Sequence, residues 1–396
     1  MEQARRQEAF PSGPDCGTFC VIPSVIERLI RKGKSSLNIV PGVPGYPMDN
    51  HFGDLKVSKN SIKIKIVLGS IMLLGAATLS VQLSAQDWSV PRTADGKPDL
   101  QGVWTNKTLT PLTRPREFAD QMVITAEQAS RLESTNQEFL DAEYAPSDPD
   151  RVAGAGAQAG DDGNTEDGYN EFWKDVGTDI LTIDGQYRSS IIIDPPNGQI
   201  PYLGDFRARF RRDPGQPAPS DGPEGRPLAE RCLLSFGSHS GPPMLPVMYN
   251  NNYQFIQTED YVVIVAEMVH DARIIRIDDA EHLDMNKWMG DSVGFWDGDT
   301  LVVKTQGFHP QQSFRGASEN LVVTERFSRV SESGILYNFT LEDDTAFSAP
   351  FTGELMFNAR PSEEPMYEYA CHEGNYALPG ILAGARQLEI QEEFTE

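Results

Sequence analysis

From Tyr169 onward the chain is a succession of short runs in which apolar and polar positions alternate, separated by Gly, Pro, Asn and Asp. That period of two, bounded by turn residues, predicts β-strands. The runs are Arg188 to Asp194, closed by Pro195-Pro196-Asn197-Gly198, then Tyr253 to Gln257, Tyr261 to Val269 and Arg273 to Ile277. Three more follow at Leu321 to Val330, Ile335 to Glu342 and Gly353 to Asn358. Val293 to Trp296 and Thr300 to Thr305 flank Asp297-Gly298-Asp299, a spacing that predicts a tight hairpin. Many short strands and few long helices predict a mainly β fold, an antiparallel β-barrel or sandwich.

The region before these strands reads differently. Gln86 to Pro149 opens extended, with strand-like Leu100 to Thr105, and then holds one helix, where Thr125 caps Ala126-Glu127-Gln128 and the pattern runs to about Tyr144. Ser147 to Asn170 is rich in Gly, Ala and Asp and is expected to be an exposed loop. Gly102-Val103-Trp104 resembles the Gly-x-Trp opening of lipocalin-like barrels, in which the Trp plugs one end, and this favours a barrel over a sandwich.

Upstream, Lys56, Lys59, Lys63 and Lys65 precede the apolar run Ile66 to Val81, followed by Gln82-Leu83-Ser84-Ala85. The order is that of a secretory signal peptide cut near Ala85. Sixteen residues reach roughly 24 Å as a helix, short of a hydrocarbon core of roughly 30 Å, so cleavage is expected rather than a stable membrane anchor, although an uncleaved anchor remains the alternative. The expected organisation is a spurious extension at 1–47 before a true start at Met48, a signal at 48–85, an extended segment with helix and loop at 86–168, and a β-rich main domain at 169–396. The expected location is the periplasm or the extracellular space.

Charge and cysteine content sharpen this picture. The net charge is −24, and setting aside residues 1–85 makes it more negative still. Such a surface repels polyanions, which excludes nucleic acid as a partner of the domain as a whole. With Cys16 and Cys20 in the discarded extension, Cys232 and Cys371 remain and are expected to pair in an oxidising compartment. Two free thiols, or a thiol nucleophile at Cys371 beside His372, are the alternatives.

Five blocks carry a wider resemblance: Pro91 to Trp104, Ile193 to Gly198, Trp288-Met289-Gly290-Asp291-Ser292, Trp296 to Val303, and Tyr367-Glu368-Tyr369-Ala370-Cys371-His372-Glu373-Gly374-Asn375. Together they resemble a large family of exported, functionally uncharacterised bacterial proteins. The resemblance implies export and a β-rich fold and transfers no reaction.

Candidate chemistry comes from the residues themselves. Two histidines precede a carboxylate, as His270-Asp271 and His372-Glu373. One reading has His270 and His372 converging on a pocket, Asp271 or Glu373 orienting them or acting as base, and Arg315 or Arg273 stabilising negative charge. Asn252, Trp288 and Trp296 join Arg273 as candidate substrate-binding groups, the amide by hydrogen bonding and the indoles by stacking. The protein would then be a cofactor-independent hydrolase or lyase of a small molecule. The other reading is a non-catalytic ligand-binding or scaffolding barrel in which these charges are structural. Ser235, Ser238 and Ser240 surround His239 but lack a Gly-x-Ser-x-Gly elbow. No nucleotide, haem or metal motif occurs, so no cofactor is expected; Asp161 to Gly168 departs from a calcium loop, with Gly one place late and Trp173 at position twelve.

Overall fold

The computed structural model describes residues 88–143, 175–205, 215–235, 240–278, 281–312, 314–317, 319–361 and 363–393. The extension, the signal, the Gly-rich loop with its calcium-like stretch, Trp173, Ser238 and His239 lie outside them.

In chain order the elements are β1 (Gly102–Thr105), β2 (Val123–Ile124), α1 (Ala126–Glu143), β3 (Thr182–Ile183), β4 (Gln186–Arg188) and β5 (Ile192–Asp194). Then come β6 (Asn252–Gln257), β7 (Tyr261–Ala266), β8 (Ala272–Ile277), β9 (Asp291–Asp297), β10 (Thr300–Gln306), β11 (Val322–Ser331), β12 (Gly334–Glu342) and β13 (Phe351–Ala359). The chain ends in α2 (Cys371–Gly374) and α3 (Ala377–Glu393).

Nine strands close a barrel in the order β1-β6-β7-β8-β9-β10-β11-β12-β13, with β13 returning to β1. The closing edge of β13 is divided. Thr352 and Gly353 pair with β5, and Asn358 and Ala359 pair with β1. Closure removes the sheet edges that an open β-protein must otherwise protect. Eight of the nine pairings are antiparallel, as expected, while β8 and β9 run parallel, Ile275 opposite Ser292 and Ile277 opposite Gly294. A parallel neighbour cannot be joined by a tight turn, and residues 281–290 belong to the longer return. The expected hairpin is β9–β10, with Thr300 opposite Asp297; Gly298, at φ +60°, opens the two-residue loop.

Alternation decides what fills the barrel. Ile335, Tyr337, Phe339 and Leu341 of β12 are buried, as are Val323, Glu325 and Phe327 of β11 and Tyr253 and Phe255 of β6. Phe327 stacks on Tyr337 with centroids 4.9 Å apart, and Tyr253 meets Phe357 edge-on at 5.2 Å. Gly353 makes room for this packing, since a Cβ there would lie 2.2 Å from Phe339 Cζ.

Two polar arrangements organise the barrel. Inside, Arg273 of β8 forms a fork to Glu325 of β11, Nη1 to Oε1 at 3.1 Å and Nη2 to Oε2 at 2.6 Å, with side-chain exposures of 2% and 0%. The Tyr337 hydroxyl donates to Glu325 Oε1 at 2.8 Å and accepts from the Met244 amide at 3.0 Å. At the end where β1 begins, Trp104 is buried and its indole N–H donates to the Leu100 carbonyl. Arg329 lies over its ring, 5.2 Å from the centroid, and donates to the Asp99 carbonyl at 2.7 Å. Trp104 and Arg329 thus plug and clamp that end.

The predicted helix is present. Thr125 accepts from the Gln128 amide, and the Gln128 side chain accepts from the Thr125 amide, a reciprocal cap that starts α1. Ala129 of α1 packs with Phe118, Ile124 and Ile180 in a small core beside the β2-β4-β3 sheet. Among the described residues no helix is long and apolar enough to cross a membrane.

Candidate functional site

A cleft of about 800 Å³ opens where β1 and β7 finish and β6 begins. Its floor is built from Asn252, the first residue of β6, and Glu267, which directly follows β7; both are buried. The Asn252 side-chain amide donates to Glu267 Oε2, and the Tyr367 backbone amide donates to Oε1 at 2.8 Å. Both carboxylate oxygens are therefore held, and the contact draws the segment after β13 across the barrel end. Tyr249, Tyr367 and Tyr369 supply aromatic wall, with Tyr367 69% exposed.

The disulfide Cys232–Cys371 joins two walls of this cleft across 139 residues of chain. The paired alternative among the sequence readings is therefore the observed one. Asn375 reinforces the junction, its side-chain amide donating to the Glu230 carbonyl at 2.7 Å. Charge in the cleft is predominantly negative: Asp175, Glu230, Glu267 and Glu368 line it against Lys107 and Arg360. Lys107 is engaged by Asp175 at 2.8 Å and Arg360 by Glu364 at 3.1 Å.

The histidines expected to converge stand at the edge of this cleft without lining it. His270 is exposed, and its Nδ1 lies 3.3 Å from the carbonyl of Tyr369. His372 and Glu373 are exposed on the one-turn helix α2, immediately after Cys371. Asn252 is on the cleft floor. Arg273 points into the closed barrel, where Glu325 takes its charge; burial would lower its pKa, and the adjacent carboxylate outweighs burial and raises it. Burial likewise pushes the Tyr337 and Tyr253 hydroxyls upward. Trp288 stacks on His309, centroids 3.9 Å apart, and Trp296 packs against the core; neither indole lines the cleft.

A second cleft, of about 690 Å³, meets the first at Ala229; Asp271 lines neither and reaches the second only through its hydrogen bond from Ser235. Arg315 lines it, as does Ser235. Asp271 accepts from the Ser240 hydroxyl at 2.6 Å and from the Ser235 amide at 3.2 Å, and the two serine oxygens are 2.7 Å apart. Burial raises the Asp271 carboxyl to about 6, against the lowering effects of the Ser240 and Ser235 hydrogen bonds and of nearby His270.

Another charge cluster is structural. Asp291, at the start of β9, accepts two bonds from Arg276, one from Lys287 at 2.6 Å and one from the Leu283 amide, with His282 Nδ1 3.3 Å away. Burial would raise its carboxyl, but the Arg276 and Lys287 bonds outweigh burial and hold it well below the usual carboxylate range. This accounts for the Asp of the Trp288 to Ser292 block: it ties the 281–290 connection to the barrel wall.

Sequence reasoning passed over Glu267, Glu325 and the tyrosine wall. Glu325 left a trace, a carboxylate at an inward position between Val323 and Phe327. Glu267 left less, because its partners come from positions 252 and 367. Among the described residues no three His, Cys, Asp or Glu side chains gather as a metal-holding group. Comparison with protein-family models, curated proteins and solved structures finds no match for this chain.

Proposed function

We propose that this protein is an exported small-molecule binder that holds an uncharged or cationic ring compound in the tyrosine-lined cleft. The observation that carries the reading is the composition of that cleft. Three tyrosines stand over a floor whose polar groups are already fixed by one another, and the wall bearing Tyr367 and Tyr369 is fastened by the disulfide. Tyrosines present stacking faces and hydroxyls to a ring, and Glu267 and Glu368, in a cleft whose Lys107 and Glu230 are already taken by Asp175 and Arg226 and whose Arg360 is taken by Glu364, disfavour an anionic ligand.

Export is supported by the disulfide and by the lysine-then-apolar stretch at 56–85, and the five sequence blocks support membership of the exported family. The binding reading is favoured over a His/carboxylate active site here because His270, His372 and Glu373 stand outside the cleft lining.

Calorimetric titration with a panel of neutral mono- and disaccharides, aromatic amines, and matched anions such as uronic acids and benzoates tests the proposal. Neutral or cationic rings should bind at least tenfold more tightly than the matched anions, and Tyr249→Ala or Tyr369→Ala should weaken them at least tenfold. Preference for the anions, or binding indifferent to both substitutions, contradicts it.

A further inference from the structure

We propose that Ser235, Ser240 and Asp271 form a proton relay that makes the Ser235 hydroxyl a nucleophile toward carboxylic esters held in the second cleft.

Hydrogen-bond accounting fixes the direction of the chain. An ionised carboxylate only accepts, so the Ser240 hydroxyl spends its proton on Asp271 Oδ2, at 2.6 Å. The Ser240 backbone amide donates to Ser235 Oγ at 3.2 Å, which occupies a lone pair there. The 2.7 Å contact between the two hydroxyls is then a bond from Ser235 to Ser240. The proton of Ser235 already points along a two-step path to a carboxylate, and no side chain must rotate to deliver it. Ser235 and Ser240 are 4% and 3% exposed, so the path is sheltered from bulk water.

The surroundings suit an ester. Ser235 lines the cleft together with the apolar side chains of Leu109, Leu112, Ile191 and Leu245. Gln311, Gln312 and Arg315 line the same cleft and are the amide and guanidinium donors available there to a carbonyl oxygen that gains negative charge. Asp271, with its proton affinity raised by burial, is a stronger base than an exposed carboxylate and is still ionised at neutral pH.

The reaction balances without an added redox partner. Ser235 Oγ bonds to the ester carbonyl carbon while its proton passes to Ser240 and the Ser240 proton passes to Asp271. The C–O bond to the leaving group breaks, and the alkoxide departs as an alcohol with the proton returned along the relay. Water then attacks the acyl-serine carbonyl, giving its proton to Ser240 as the Ser240 proton passes to Asp271; the acyl C–O bond breaks, the acid leaves, and the proton returns through Ser240 to Ser235 Oγ.

The test uses the full mature chain with p-nitrophenyl butyrate and a fluorophosphonate, the latter followed by peptide mapping. The expected results are a fluorophosphonate adduct on Ser235 and ester hydrolysis that rises with pH to a plateau above about 6. Ser235→Ala and Ser240→Ala should lower kcat/KM by about 10²-fold or more, and Asp271→Asn should remove the pH dependence with the residual rate. Mapping on the unsubstituted protein needs no variant to fold. Absence of an adduct, an adduct at another residue, or unchanged hydrolysis by folded Ser235→Ala overturns the proposal. Because the tyrosine-lined cleft is not used, either result leaves the binding reading to its own titration.

Discussion

Replacing Glu325 by Met removes the carboxylate that neutralises Arg273 inside the barrel while keeping a side chain of similar size. The guanidinium is 2% exposed and loses both bonds of its fork, and the Tyr337 hydroxyl loses its acceptor. Breaking a buried ion pair by removing one partner costs about 3–5 kcal/mol, and an orphaned buried hydroxyl adds about 1–3 kcal/mol. Against a total stability of about 5–15 kcal/mol, Glu325→Met should bring the protein to the edge of folding. Arg273→Met alone should cost a comparable amount, reduced at low pH where the stranded carboxyl takes up a proton. The double variant removes both charges and leaves an apolar pair in an aromatic core; only the orphaned Tyr337 hydroxyl remains, so it should return to within about 3 kcal/mol of the parent. Equilibrium urea unfolding of the four proteins gives the coupling energy directly. Single variants that each lose less than about 1 kcal/mol, or a double variant as unstable as the sum of the singles, would show that the buried Arg273–Glu325 pair is not coupled in this way.

Other expectations follow from the same geometry. Asp271 has a folded pKa of about 6 against 3.8, so the folded state holds the extra proton between those values, and stability falls as pH rises through that window. Asp271→Asn should therefore match the parent near pH 3.5 and exceed it above pH 6 by up to about 3 kcal/mol, as read from urea midpoints across pH; equal pH profiles would contradict the burial argument. Reducing Cys232–Cys371 opens a long loop and should cost about 2–4 kcal/mol while weakening any ligand of the tyrosine-lined cleft; unchanged stability on reduction, measured by thermal unfolding, counts against the disulfide as a fastener. Arg329→Ala should unclamp Trp104, costing about 1–2 kcal/mol and shifting its fluorescence to the red; an unchanged spectrum would show the ring is sealed without it.

What could be read from the chain follows from the range of the interactions involved. Strand alternation and the Thr125 cap are local signals, and both reappear in the fold as the barrel staves and α1. Gly102-x-Trp104 announced a plugged end, but the clamp over it is Arg329, more than two hundred residues away. His270-Asp271 was legible as a polar pair, yet its two members part: the imidazole reaches Tyr369 and the carboxylate reaches Ser240. Arg273 read as a charge for substrate because nothing nearby marked Glu325, 52 positions downstream, as its partner. The parallel β8–β9 pair was hidden for a related reason, since residues 278–290 have no strand or helix pattern that shows which way the chain returns.

On the proposed reading, the end of the barrel bounded by Tyr249, Tyr367 and Tyr369 is where this protein meets its ligand. Crystals soaked with a fragment library of neutral, cationic and anionic rings test it most directly. Neutral and cationic rings stacked on those tyrosines, with anions absent from the cleft, is the expected electron density. Fragments that gather elsewhere and leave the tyrosines bare would contradict it.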